Sequence, residues 1–153
     1  MEFLTVFNKI IFLHFGKFRS AAHSSIFNDY IERIKHYTKV ELKEIKIERD
    51  DPTFFNKIKD KINLTLKPTK TMVFSERGKT SDSLEFSNFI ENGSGILSVV
   101  VGSSWGLPDY LETNADFLIS FGRLTLPHEL VRVLSAEQIY RACTIIKKEN
   151  YHK

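Results

Sequence analysis

The chain has little cysteine, proline, glycine or uninterrupted apolar sequence, and each shortage narrows what it can be. Cys143 is the only cysteine among 153 residues, so no internal disulfide can form and a reducing compartment is expected. With seven glycines and four prolines there is no linker, internal repeat or low-complexity tract. The apolar opening, MEFLTVFNKIIFLHFG, is interrupted by Glu2, Asn8 and Lys9. It is too short to span a bilayer and lacks the basic leader of a signal peptide, so a cytoplasmic protein with no membrane partner is expected. Charge of one sign is scarce as well. The excess of +3 permits a polyanionic partner without requiring one. No phosphate-cradling loop or dinucleotide fingerprint occurs, and no metal is expected.

What is present suits one globular domain covering residues 1–153: 42% hydrophobic residues, 27% charged residues and thirteen phenylalanines. Residues 10–15 (IIFLHF) read as a strand covered on both faces. Ile26, Phe27, Tyr30, Ile31 and Ile34 recur at helical spacing, and residues 40–47 (VELKEIKI) read as a more exposed strand. A second helix would place Phe54, Phe55, Ile58 and Ile62 inward, with Lys57, Lys59 and Lys61 on a solvated face that a weak RNA patch would also explain. Residues 71–74 form a short strand followed by a polar loop holding Gly78, and Ser81 is placed to cap a third helix carrying Leu84, Phe89 and Ile90. Residues 96–101 (ILSVVV) and 117–121 (FLISF) are further strands, with a short helix over 107–114 between them. Thr125 before Leu126-Pro127 suits the start of a last helix running to about Lys148. Strands alternate with helices throughout, so the fold class is α/β with a mostly parallel sheet flanked by helices.

In such a sheet, ligands bind beyond the carboxyl ends of the strands. Three glycine-bearing loops leave those ends, at residues 75–79, 102–106 and 122–125. The last helix is apolar around most of its circumference, from Leu130 and Leu134 to Ile139 and Ile146. It is therefore either central in the domain or shared with a partner subunit. Glu137 and Arg141, four apart, suit an ion pair along it. Cys143 lies mid-helix on an apolar face, where a thiol is inert. Tyr151, His152 and Lys153 end the chain, and a free terminus is ordinarily frayed.

Residues 124–153, LTLPHELVRVLSAEQIYRACTIIKKENYHK, resemble the carboxyl signature of the ribosomal large subunit methyltransferase H family of the SPOUT superfamily. That signature comprises Pro127-His128, Arg132-Val133, residues 137–142 (EQIYRA) and Tyr151-His152-Lys153. Phe15-Gly16-Lys17, Gly78-Lys79 and the 102–106 turn fall in register upstream, so the resemblance runs from about Ile10, with residues 1–9 as an extension. It implies a SPOUT fold with a carboxyl-terminal trefoil knot over about residues 96–148, and a homodimer with its sites at the subunit interface. It also implies S-adenosyl-L-methionine as cofactor and methylation of N3 of a pseudouridine in the 23S rRNA of the ribosome. The family's cofactor contacts carry over to Phe74, Gly102, Phe121, Gly122, Arg123, Leu124, Thr125 and Leu126. Its carboxyl end lies near the RNA, which makes His152 and Tyr151 the catalytic candidates and Arg132 and Lys153 the RNA contacts. An imide N3–H needs its proton removed, and a histidine suits that work. The chain departs from the family pattern at Ser103, where a second glycine is usual, at bulky Trp105, and at Phe74 and Ser75. Those departures define the rival reading, a non-catalytic ribosome-binding protein on a degenerate SPOUT fold.

Overall fold

In the computed structural model, residues 7–48, 52–104 and 106–153 are described. The chain runs β1 (Lys9–Phe15), α1 (Ala21–Ile34), β2 (Lys39–Ile45), α2 (Pro52–Lys57), α3 (Lys59–Leu66), β3 (Lys70–Thr80), α4 (Ser83–Glu91), β4 (Ile96–Val101), α5 (Asp109–Thr113), β5 (Phe117–Ser120) and α6 (His128–Ile146). The five strands form one sheet in the order β2-β1-β4-β3-β5, and every pairing is parallel.

Strands β1 and β4 and the first half of β3 are apolar on both faces because both are covered. One layer packs Phe27, Ile31 and Ile34 of α1, Phe86 and Ile90 of α4, and Val133, Ala136 and Ile139 of α6 onto Ile10, Phe12, Met72, Leu97 and Val99. The alternate residues Leu13, Val73 and Val100 point the other way, onto Phe55 of α2, Ile62 and Leu66 of α3, and Leu111 of α5. Helix α6 packs against both α1 and α4, so its apolar circumference is explained first by its central place in the domain.

Several boundaries differ from the sequence reading. The apolar run over 54–62 is two helices, broken at Ile58, whose backbone leaves the helical region (φ −101°, ψ 6°). The cap of α4 is Asp82, whose carboxylate accepts from Glu85 N at 2.8 Å, in place of Ser81. Proline at 127 stands at the cap position of α6 without a side-chain hydrogen bond, and Thr125 lies outside the helix. Ile26 and Leu84 are exposed at 47% and 54%, because neither belongs to the stripe that meets the sheet.

Two larger corrections concern the strands. The polar segment after Phe74 is a continuation of β3, whose register with β5 shifts so that both Phe74 and Lys79 pair with Ile119. Gly78 permits this crossing, since a Cβ there would lie 2.5 Å from the Ile119 carbonyl carbon. The extension ends earlier than expected: Phe7 is a core residue at 2% exposure, its carbonyl accepts from Thr38 Oγ1 at 2.9 Å, and its ring occupies the space a side chain at Gly93 would need. Residues 1–6 lie outside the described residues.

Candidate active site

A cavity of about 670 Å³ opens beside residues 74–77 of β3, where β4 and β5 end and α6 begins. That is the usual volume of a small-molecule site. Phe74 at the turn of β3 stacks on Phe121 just beyond β5, with ring centroids 5.0 Å apart and planes at 13°. Gly122 follows at φ +118°, a conformation open to glycine, and the Ser120 hydroxyl clamps it by donating to Gly122 O at 2.9 Å and accepting from Gly122 N at 3.0 Å. Between that clamp and α6, the backbone groups of residues 123–126 hold no hydrogen bond among the described residues. They are open donors and acceptors beside an apolar wall that includes Ile119, Leu126 and Val131.

Phe74, Gly102, Phe121, Gly122, Leu124, Thr125 and Leu126 all line this cavity; Arg123 is exposed and does not. The reason for Gly102 differs from the expected one. A Cβ there would meet the Leu107 side chain at 2.9 Å and Gly106 O at 3.0 Å, so the glycine makes room for its own turn before any ligand. Ser103, the departure in that turn, is buried and closes it: Ser103 N donates to Gly106 O at 3.2 Å and Gly106 N donates to Ser103 O at 2.9 Å. Trp105 lies outside the described residues.

Sequence reasoning missed the acidic wall of the cavity. Glu112 on α5 accepts from Ser75 Oγ at 2.7 Å and from Arg77 Nε at 2.7 Å, holding the far part of β3 against α5. No motif marks Glu112, since a five-residue helix gives too little periodicity to read. Arg77 neutralises Glu112 and lines the cavity with it, so the flat apolar surface and free backbone hydrogen-bonding groups are what suit a heterocycle here.

The carboxyl tail is docked rather than frayed. Lys148 adopts a left-handed conformation (φ 57°), and Glu149 N donates back to Thr144 O at 2.9 Å, which closes α6 and turns the chain. Tyr151 then packs edge-on against Tyr140 at 4.7 Å and donates its hydroxyl to Glu137 Oε1 at 3.1 Å. His152 Nδ1 lies 3.3 Å from Arg141 Nη1, and Lys153 is exposed. Cavity and tail meet different stretches of α6, the first at its opening turns and the second around residues 137–141. The tail folds back onto Glu137, Tyr140 and Arg141, so along α6 it docks roughly 15 Å beyond Val131 at the cavity, at ~1.5 Å per residue.

Arg132 is 3% exposed, with its guanidinium carbon 3.6 Å from the Phe18 ring centroid and Nη1 donating to Gly16 O at 3.3 Å. Burial lowers its pKa to about 10. A side chain so enclosed is placed to hold the loop after β1 onto α6, not to meet phosphate at a surface. Beside it His14 is buried, and that burial, reinforced by the Arg132 charge, lowers its pKa to about 4 despite Glu44 at 4.0 Å. The unfolded chain therefore binds a proton at His14 that the folded one refuses. Stability contributed by the neutral ring is complete above the ordinary histidine value and is lost as pH falls toward about 4. We expect a loss on the order of 3 kcal/mol across that window. His14→Val should flatten this part of the stability-against-pH curve, measured by urea unfolding; an unchanged slope would contradict the assignment.

The family model described as predicted SPOUT methyltransferase matches residues 9–152. The chain is 35% identical over 149 residues to the ribosomal RNA large subunit methyltransferase H of Coprothermobacter proteolyticus, covering 95% of this chain and 99% of that one. It is 36% identical over 151 residues to the protein of the same name from Clostridium botulinum strain Langeland, covering 90% and 95%. This chain belongs to the ribosomal RNA large subunit methyltransferase H family of SPOUT methyltransferases. Solved structures agree on the fold. A probable methylase family protein from Haemophilus influenzae superposes with a TM-score of 0.58 at 12% identity, covering 95% of this chain and 70% of that one. A putative RNA methyltransferase from Bacillus anthracis superposes with a TM-score of 0.56 at 11% identity, covering 95% and 99%. Placed in the methyltransferase H family, the carboxyl signature acquires a spatial meaning. Its Glu137–Arg141 piece and its Tyr151-His152 piece meet in one hydrogen-bonded cluster, while its Pro127-His128 piece opens α6 at the cavity.

Proposed function

We propose that the protein methylates N3 of a pseudouridine in the 23S rRNA of the large ribosomal subunit. In this reading it acts as a homodimer in which each site joins the cavity of one subunit to the carboxyl tail of the other. The observation that supports it is that each tail docks around residues 137–141 of α6, beyond the first turns that line its own cavity, while the family signature includes both. An antiparallel partner brings the second tail to the first cavity. Leu124, Phe121 and Leu134, exposed at 81%, 38% and 36%, supply apolar surface beside the cavity and along α6 for that contact. Leu124→Asp combined with Leu134→Asp should yield a monomer in sedimentation at micromolar concentration, with methyl transfer lost and the melting temperature little changed. A persisting dimer would place the interface elsewhere.

S-adenosyl-L-methionine, when bound, supplies a methyl group made electrophilic by a positively charged sulfur. The cavity fits it: residues 123–126 offer backbone groups for a purine edge, the Phe74–Phe121 pair and Leu126 offer apolar contact, and Glu76 suits the positive charge, Glu112 being engaged by Arg77. The protein's own contribution is then positioning and exclusion of water, in a region of about residues 96–148 that we take as the family's trefoil knot. The pseudouridine N3–H would give its proton to water or hydroxide, and its electron pair would form the new bond to the methyl carbon as the carbon–sulfur bond pair leaves with the sulfur. Tyr151 and His152 face the base, and the exposed Lys153 contacts phosphate. Among the described residues no helix is long and apolar enough to cross a membrane and no acid, histidine and cysteine cluster could hold a metal. A ribosomal substrate places the work in the cytoplasm.

The rival reading is a ribosome-binding protein with a dead cofactor site. Ser103, folded into its own turn, does not obstruct the cavity and so favours the enzyme. Calorimetry with S-adenosyl-L-methionine separates the two: saturable binding is expected, and no saturable heat would support the rival.

A further inference from the structure

We propose that Arg141 fixes the His152 ring as the neutral tautomer with its hydrogen on Nε2, so that the tail offers the RNA base a hydrogen-bond donor and not a proton acceptor. The donor role rests on the composite site proposed above; the tautomer does not. Arg141 uses Nε and Nη2 on Glu137 Oε1, at 3.0 and 2.6 Å, and its remaining nitrogen, Nη1, lies 3.3 Å from His152 Nδ1. A guanidinium has five N–H groups and no acceptor, so in this contact Arg141 donates and Nδ1 accepts. A neutral imidazole carries one N–H, and with the Nδ1 lone pair engaged that hydrogen sits on Nε2.

The guanidinium is not free to swing away. Its Glu137 partner also accepts from Tyr151 Oη at 3.1 Å and, on Oε2, from Gln138 Nε2 at 2.8 Å. The Tyr151 ring lies under the guanidinium at 4.8 Å from its centroid. Arg141 is therefore a positioning residue, acting through His152. Both ring nitrogens are then committed: Nδ1 to Arg141, and Nε2, which has no partner among the described residues, to presenting an N–H outward.

The chemical consequence follows from where charge develops. As the N3–H bond breaks, the proton passes to water or hydroxide and the electron pair stays with the nitrogen for its new bond to carbon. Negative charge spreads to the two flanking carbonyl oxygens. An N–H aimed at either oxygen stabilises that charge as it forms.

Glutamine tests this, because its amide places a donor near the position of Nε2 and cannot accept a proton at neutral pH. His152→Gln should keep methyl transfer to ribosomes within about tenfold of the parent, whereas His152→Ala should lose about a hundredfold. Equal losses in both variants would overturn the donor role in favour of a base. Nitrogen-15 spectra of the His152 ring in the full chain, at mildly alkaline pH, should show one N–H, on Nε2, and a bare Nδ1. The Nδ1 signal should move to the position of an unbonded imidazole in Arg141→Leu. A hydrogen on Nδ1 in the parent, or an Nδ1 signal indifferent to Arg141, would overturn the tautomer. Parent-like rates in both His152 variants would overturn the donor role together with the tail's place in the site, while the ring spectrum would still report the tautomer by itself.

Discussion

Two inactive variants, mixed so that their subunits exchange, should recover about a quarter of the parent activity. Gly122→Val fills and strains the cavity of its subunit, since the backbone there is at φ +118°, but leaves the tail intact. His152→Ala removes the tail's functional ring but leaves the cavity intact. If each site takes its cavity from one subunit and its tail from the other, about half of a random mixture are heterodimers, each with one complete site. If each tail served its own cavity, both sites of a heterodimer would be defective and mixing would recover nothing. The roughly 15 Å along α6 from Val131 at the cavity to Arg141 beside the tail, at ~1.5 Å per residue, is what makes the first outcome the expected one.

The second large effect is that of His152→Ala alone. Methyl transfer should fall by about a hundredfold or more, the usual scale for losing a positioned group that acts on a proton or on developing charge. Affinity for S-adenosyl-L-methionine should stay near the parent value, because the cofactor cavity of each subunit is built without residue 152 of the same chain. The melting temperature should also change little, since the ring is half-buried and makes one hydrogen bond. Single-turnover rates at saturating ribosome separate this from a binding defect: a preserved rate with weakened ribosome affinity would make His152 a docking contact.

How far the sequence could be read depended on how locally each feature was encoded. The strand over Ile96–Val101 was legible to the residue, because a doubly covered central strand leaves an unbroken apolar run. The two loops at residues 102–106 and 122–125 were legible from their glycines, although Gly102 is needed for contacts with Leu107 and Gly106 that no local pattern reveals. The stretch after Phe74 was misread as a loop because its polar residues alternate poorly, and it is held as strand by a shifted pairing with β5 and by Glu112. Arg132 was an RNA contact on the family resemblance, which carries no information on burial. Only the fold shows it enclosed by Phe18 and bonded to Gly16 O. The docked tail was invisible for the same reason. Lys148 in a left-handed turn and the meeting of Tyr151 with Tyr140 and Glu137 are tertiary events.

The central claim is methyl transfer to a pseudouridine in 23S rRNA, and mass spectrometry of that RNA tests it most directly. Ribosomes from a strain lacking the gene, incubated with the purified protein and S-adenosyl-L-methionine, should gain one methyl group on one pseudouridine-containing fragment of 23S rRNA. Fragmentation should place the methyl group on the base at N3. The same RNA should stay unmodified with His152→Ala over the same interval. Ribosomes that remain unmodified with the parent protein, or that gain the methyl group on a ribose or on a different base, would contradict the account.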